Sequence, residues 1–522
     1  MPELDSDIPE HPSGHPLPAP VLQEALSPAE ERFEQWRRQV SLFLGPLAFV
    51  GLLVFSPSGL SVAGASLAAI MAWVLIWWMG EAVPLPVTAL LGPSLCVVLG
   101  VGPAKDVLAG FADPIVFVFV GSFMLARAMT VHGLDRRLAL GLLSVPGLGS
   151  SPAMLIVGFG CVAAFISMWL SNTAVTAMLV PIGLGLLAEL ERLVRQAGDA
   201  AAVKALPRVT VALLLMTAYA ASVGGLATPI GTPPNLIGIG HIRKELQVDL
   251  TFGDWVMFAL PITMVLFGAL VVVLLAVERP GRGHLPGMRQ LLATRRAQLG
   301  PLTPGERNAL LAFGTAVVLW LAPAVLAGIS GSESELSKLV ARRLPEATAA
   351  VLAAVMLFLL PVDWKKGEFT LSWDQASRID WGTILIFGSG ICLGSLAFST
   401  GLARAFADGL LAWTGVTSLL GITALVTGMA ILLSELTSNT AAATMVVPVS
   451  IAIAQSAGVE PMAPALGACI GASFGFMLPV STAPNALIYG TGRVPLWRMF
   501  RAGLVFDLVG WVLITAGVLL LT

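Results

Sequence analysis

Charge is what this sequence has least of: only 11% of its 522 residues are Asp, Glu, Lys or Arg, against about 25% in an ordinary soluble chain. With 56% hydrophobic residues and a mean hydropathy of +0.87, it cannot cover itself with polar surface in water. Cysteine is scarce too. Cys96, Cys161, Cys392 and Cys469 stand singly in apolar segments with no C-x-x-C spacing, so they read as small buried hydrophobes rather than a redox pair or a metal site. His132, His241 and His284 read as scattered loop residues, and no H-E-x-x-H occurs, which argues against a zinc centre or a proton relay. The net charge of −2 contains no basic or acidic block, so nucleic acid is not an expected partner.

What the chain has instead is apolar length. Stretches able to cross a hydrocarbon core about 30 Å thick recur from end to end. Expected spans are 39–57, 61–80, 84–102, 113–131, 208–240, 253–277, 306–328, 346–361, 382–400, 463–490 and 502–521, with two-legged segments at 152–190 and 417–456. Residues 1–38 read as a disordered and interfacial cytoplasmic tail: 1–30 are rich in Pro and acidic residues without a leader pattern, and a charged amphipathic piece, Glu30 to Arg38, leads into the first span at the membrane surface. Each two-legged segment runs apolar, meets a polar Ser-Asn-Thr and runs apolar again to a proline, Pro181 or Pro448. That is the pattern of a re-entrant hairpin whose tip stops inside the membrane.

The basic residues test this reading, because the side richer in Lys and Arg is expected to be cytoplasmic. With both segments re-entrant and the N-terminus inside, 21 of 29 fall on one side, among them Arg136, Arg192, Arg279, Lys365 and Arg498. Arg127 lies within a span. A full crossing by either segment would blur the split. The expected fold is therefore an all-α polytopic membrane protein of about eleven transmembrane helices plus two re-entrant hairpins, in the cell inner membrane with its N-terminus cytoplasmic. A first repeat covers 39–277, a cytoplasmic loop 278–305 and a second repeat 306–522.

The repeat is visible in the letters. SMWLSNTAVTAMLVPI from Ser167 precedes GGLATPIGTPPNLIGIG from Gly224, and SELTSNTAAATMVVPV from Ser434 precedes GFMLPVSTAPNALIYGTG from Gly475. Five full spans separate the two hairpins, and an odd number of crossings gives the copies opposite orientations. Such an inverted repeat binds substrate near the midplane in secondary transporters.

Four polar breaks carry the chemistry: Ser171-Asn172-Thr173, Gly231-Thr232-Pro233-Pro234-Asn235, Ser438-Asn439-Thr440 and Ser481-Thr482-Ala483-Pro484-Asn485. In each, hydroxyl and amide groups precede a new helical run, offering donors and free N–H groups at the positive end of a helix dipole, where a carboxylate is favoured. Freed carbonyls and Ser, Thr and Asn oxygens are hard ligands that suit a small cation as well. A small dianion held between two tips follows. Of the remaining polar residues, Glu435 is read as a cation-attracting or helix-pinning neighbour of the second tip, Glu81 as an interfacial anchor, and Asp113 and Asp507 as residues near span ends.

At the Ser-Asn-Thr pair and the Pro-Asn breaks the chain resembles the divalent anion/sodium symporter family, carriers of di- and tricarboxylates and of sulfate. The resemblance runs from about residue 40 to the end and includes WWMGEAVPLPVTALL from Trp77 and FADPIVFVFVGSFMLARAM from Phe111. It implies an elevator-type transporter and a homodimer, with a static scaffold of spans 1–4 and 7–9 and a mobile part built from both hairpins with spans 5, 6, 10 and 11. It implies one sodium ion at Ser167, Ser171, Asn172 and Gly231 and a second at Ser434, Thr437, Asn439 and Ser481. Anion contacts are implied for Asn172, Thr173, Thr232, Ser438, Asn439, Thr440, Thr482 and Ala483. One departure is Ala483-Pro484-Asn485, where many relatives have Pro-Pro-Asn.

The implied activity is sodium-coupled symport of a divalent organic anion, most simply a C4-dicarboxylate such as succinate, fumarate or malate, with Na⁺ as coupling ion and no other cofactor. Sodium-independent dicarboxylate exchange and sulfate carriage are the alternatives. Sodium-independent relatives tend to carry basic residues at the cation ligands, and none occurs between Ser167 and Thr173 or between Ser434 and Thr440. Electrostatics points the same way: bringing a dianion into a negative cell costs about 4.6 kcal/mol per 100 mV, which two sodium ions cancel.

Overall fold

The computed structural model describes residues 28–55, 59–145, 151–196, 200–281, 294, 296–331 and 334–522. Residues 1–27 of the expected tail, and 282–293 and 295 of the expected cytoplasmic loop at 278–305, lie outside the described residues. What is described is almost entirely helix, as lipid requires: a peptide group without an internal partner in hydrocarbon costs several kcal/mol.

The first half begins with α1 (Pro28–Val54), α2 (Val62–Gly80), α3 (Leu85–Val98) and α4 (Pro114–Val131). A short α5 (Leu134–Leu143) leads to a hairpin of α6 (Pro152–Ser167) and α7 (Asn172–Gln196). A broken span, α8 (Ala200–Gly224) and α9 (Pro233–His241), and a continuous one, α10 (Phe252–Glu278), complete it. The second half opens with α11 (Pro304–Ser330), α12 (Glu335–Arg343) and α13 (Glu346–Leu359). A small antiparallel ribbon, β1 (Pro361–Asp363) with β2 (Glu368–Phe369), precedes α14 (Trp381–Ser399) and α15 (Leu402–Thr414). The second hairpin, α16 (Leu419–Leu436) and α17 (Asn439–Ala457), then a broken span, α18 (Met462–Gly471) and α19 (Ala483–Tyr489), and α20 (Leu496–Leu521) finish the chain.

Eleven helical stretches among the described residues are long and apolar enough to cross a membrane. They do not map one to one onto the expected spans. Helices α7, α16 and α17 are hairpin legs, while the shorter α3 and α13 and the α18/α19 pair occupy the remaining expected spans. Helix starts follow local capping chemistry. Ser61 Oγ accepts from Gly64 N at 3.0 Å, and Thr251 with Asp254, and Thr303 with Glu306, form reciprocal capping boxes that satisfy otherwise orphaned N–H groups.

The core runs through the whole bundle, with Trp78, Trp255, Trp320, Tyr219 and Phe506 fully enclosed. Phe43, Leu47, Met257, Val318, Ile329 and Leu520 face outward, as suits a surface bathed in lipid.

Two expectations about elements are corrected, whereas Glu30 to Arg38 leads into the first apolar stretch as expected, as part of one continuous helix, α1. His241 is not a loop residue but the fully buried last residue of α9, and His132 Nε2 bonds to Thr370 O at 2.6 Å. Asp507 is not near a span end, since α20 begins at Leu496 and places it well inside, buried.

Candidate functional site

Each hairpin tip is closed by the same bond. Ser167 Oγ, at the end of α6, donates to Asn172 Oδ1 at 2.7 Å, and Ser434 Oγ, in α16, donates to Asn439 Oδ1 at 2.8 Å. Both serines are fully buried. The middle serine of each motif starts the returning leg: Ser171 Oγ accepts from Ala174 N at 3.3 Å and Ser438 Oγ from Ala441 N at 3.2 Å. Each asparagine is thereby held with its side-chain oxygen turned toward the preceding leg.

The two broken spans repeat one another just as closely. Asn235 Nδ2 donates to Gly225 O at 2.9 Å and Thr228 O at 2.7 Å; Asn485 Nδ2 donates to Gly475 O at 2.9 Å and Leu478 O at 3.0 Å. Corresponding atoms lie 250 positions apart in every case. These asparagines replace helix bonds that the break removes, which is how irregular backbone survives at membrane depth. The glycines are required by space. A Cβ at Gly225 would lie 2.6 Å from Asn172 Oδ1, and one at Gly475 would lie 3.0 Å from Ser434 O.

All four breaks meet at one cavity of about 620 Å³. Its lining includes every expected anion contact: Asn172, Thr173, Thr232, Ser438, Asn439, Thr440, Thr482 and Ala483. Of the expected cation ligands, Ser171, Gly231 and Ser481 also line it, whereas Ser167, Ser434 and Thr437 lie behind the surface, the two serines bonded to the asparagine oxygens. The donor set fits sodium: neutral hydroxyl, amide and carbonyl oxygens without thiolate or imidazole. Asn235 Oδ1 and Asn485 Oδ1 are in addition buried with no hydrogen-bond partner, two hard oxygens beside these tips.

The cavity is also lined by Glu81, Arg378, Ile379 and Asp380, which sit at the C-terminal end of α2 and the N-terminal end of α14. At the N-terminal end of α4, Asp113 caps the helix through Ile115 N at 2.9 Å and accepts two bonds from Arg243, at 2.5 and 2.7 Å. The cavity lining thus draws on the C-terminal part of α4, through Ser122, Phe123, Ala126, Arg127 and Thr130, while the Asp113–Arg243 pair stands at the helix's N-terminal start.

Glu435 proves to be a pin. Buried, it accepts from Met477 N at 2.8 Å, Leu478 N at 3.2 Å and Ser481 Oγ at 2.6 Å, tying the second tip to the second broken span. The first repeat has Met168 in its place, and the corresponding tie is a bond from Thr228 Oγ1 to Met168 O. Glu81 is paired with Arg37 and Arg38 at 3.6 and 3.8 Å. A G-x-S-x-G spacing at Gly471–Gly475 does not form a nucleophile elbow, because Ser473 lies buried in turns after α18 rather than between a strand and a helix. The positioning roles of Asn235 and Asn485 escaped the reading of site residues, although both stood in the quoted Pro-Asn breaks.

A family model for the sodium:sulfate symporter transmembrane region matches residues 36–520. The sodium-dependent dicarboxylate transporter SdcS of Staphylococcus saprophyticus is 33% identical over 478 residues, 91% of this chain and 89% of that protein. The protein of the same name from Staphylococcus aureus strain USA300 is 31% identical over the same shares. Among solved structures, the YdaH transporter of Alcanivorax borkumensis aligns at a TM-score of 0.52 with 14% identity, over 79% of this chain and 86% of its own. MtrF of Neisseria gonorrhoeae aligns at 0.50 with 13% identity, over 93% and 96%. At such identities these two likenesses speak to the fold alone.

Proposed function

This chain belongs to the sodium:sulfate symporter family, and from that premise we propose that it carries C4-dicarboxylates such as succinate, fumarate or malate into the cell together with sodium ions. It is a multi-pass integral membrane transporter and not an enzyme. The observation that carries the substrate reading is the meeting of both Ser-Asn-Thr tips and both Pro-Asn breaks at one cavity. Two sets of hydroxyl, amide and backbone donors, each at helix starts, match the two ends of a short dianion without requiring an arginine between them.

The first cation is held by Ser167, Ser171, Asn172 and Gly231, and the second by Ser434, Thr437, Asn439 and Ser481. Each asparagine serves both ligands, which links anion affinity to cation occupancy. Inverted orientation of the two repeats, a homodimer and an elevator motion of the hairpins with α8–α10 and α18–α20 complete the reading. So do the inner-membrane location, a cytoplasmic N-terminus and a cavity open to the cytoplasm. Domain limits are 39–277 and 306–522. The sodium-dependent dicarboxylate relatives favour this substrate over sulfate.

The test is uptake of labelled succinate, citrate and sulfate into proteoliposomes with and without a sodium gradient. Sodium-dependent uptake of succinate, resistant to competing sulfate, is expected. Sulfate uptake that exceeds succinate uptake would reassign the substrate.

A further inference from the structure

One charged residue of the cavity is not absorbed by this account. Arg127 lies in α4 one turn from its C-terminal end, and Ser122, Phe123, Ala126 and Thr130 line the cavity with it. Their spacing puts all five on one face of the helix. Four charged side chains line the cavity, and the other three are engaged. Glu81 pairs with Arg37 and Arg38, Arg378 donates to Asp374 at 2.8 Å, and Asp380 bonds to both the N–H and the hydroxyl of Thr383. For Arg127 no ion pair or hydrogen bond is found among the described residues, and its Nε is buried without an acceptor.

An unsatisfied guanidinium donor at membrane depth is costly, and such residues are found where a pathway or a ligand uses them. The fork geometry of a guanidinium matches a carboxylate. We propose that Arg127 forms an anion subsite at the open mouth of the cavity, binding a carboxylate of the transported dianion as it passes between the hairpin tips and the cytoplasm. This rests on the dicarboxylate reading above, and on the cavity being open to the cytoplasm. The subsite belongs to a helix that packs chiefly on α13 and α11, not to the tips. It therefore acts on one side of the transport cycle: the dianion meets Arg127 only while the tips face inward.

The experiment compares wild type, Arg127→Gln and Arg127→Lys in right-side-out and inside-out membrane vesicles. Half-saturating succinate is measured from each side at saturating sodium. Loss of a charge-assisted hydrogen bond predicts that Arg127→Gln raises the inside-to-outside ratio of half-saturating concentrations about tenfold. Arg127→Lys, which keeps the charge and loses the fork, is expected to fall between. An unchanged ratio in Arg127→Gln would overturn the subsite, and so would equal increases from both sides, which mark a merely structural residue.

Should Arg127→Gln fail to insert, wild-type protein decides. Succinate is expected to protect Arg127 from modification by phenylglyoxal, read by peptide mass spectrometry, and absence of protection rejects the proposal. Wild-type vesicles that take up no succinate from either side would instead reject the dicarboxylate reading, a result independent of the variants.

Discussion

Asn172 and Asn439 are each asked to serve an anion and a cation, so the consequences of losing one are large. Removing a single charge-assisted bond costs about 1.5–3 kcal/mol, and the linked loss of a sodium ion adds to it. Asn172→Ala and Asn439→Ala are each expected to abolish uptake while surface expression and size-exclusion behaviour stay normal. Near-normal uptake in either would return the motif to simple helix capping. The buried serines behind them predict a different signature. Ser167→Ala and Ser434→Ala remove the donors to Asn172 Oδ1 and Asn439 Oδ1, and the proposed cation ligands with them. They should raise the sodium concentration for half-maximal uptake more than they alter succinate affinity at saturating sodium, because excess cation restores the tip. A sodium series at several succinate concentrations, with choline holding ionic strength, separates the two effects. Unchanged sodium response in both variants would move the cations elsewhere.

At this scale the sequence was legible where a polar motif recurred inside apolar surroundings, as seven of the eight residues proposed for the anion do, Ala483 being the exception, and all eight line the cavity. It was silent where the role depends on a distant partner. That Glu435 ties Met477, Leu478 and Ser481, or that Arg127 is left unbonded, follows only from tertiary packing.

Among elements, hairpins and broken spans were readable because Pro, Asn and Gly interrupt long apolar runs. The lateral helices α5 and α15 were not, being short and amphipathic and therefore below the length and hydrophobicity that mark a span. One contact between elements carries its own prediction. Arg243, just beyond α9, and Asp113, at the start of α4, join a proposed mobile part to the proposed scaffold, at the end of α4 that does not line the cavity. For the hairpins to rise outward this pair must separate. Asp113→Asn weakens it by about 1 kcal/mol, as for a partly exposed pair, and so favours the outward-open form about fivefold. Spin labels at Gln247 and Ala341, both exposed, should show an increased long-distance population in the variant. Identical distance distributions would mean that the pair holds nothing shut.

For the whole molecule, the asymmetry of basic residues predicts sidedness. A cysteine at Gly281 should label from the cytoplasm with an impermeant reagent and one at Ser334 from outside, in a background where Cys161 is replaced; labelling of both from one side would contradict the topology. Eleven long apolar stretches include three hairpin legs, so length alone does not separate crossing helices from hairpin legs; the paired motifs mark the hairpins, and the expected sidedness rests on the charge split. The central claim is that sodium and a dicarboxylate cross together, and purified protein in sodium-free proteoliposomes tests it most directly. Labelled succinate is added outside in sodium chloride or choline chloride, with and without an inside-negative potential set by potassium and valinomycin. Uptake is expected only with sodium, and acceleration by the potential would indicate more than two sodium ions per dianion. Uptake that proceeds equally in choline and depends on dicarboxylate preloaded inside would contradict symport and make the protein an exchanger.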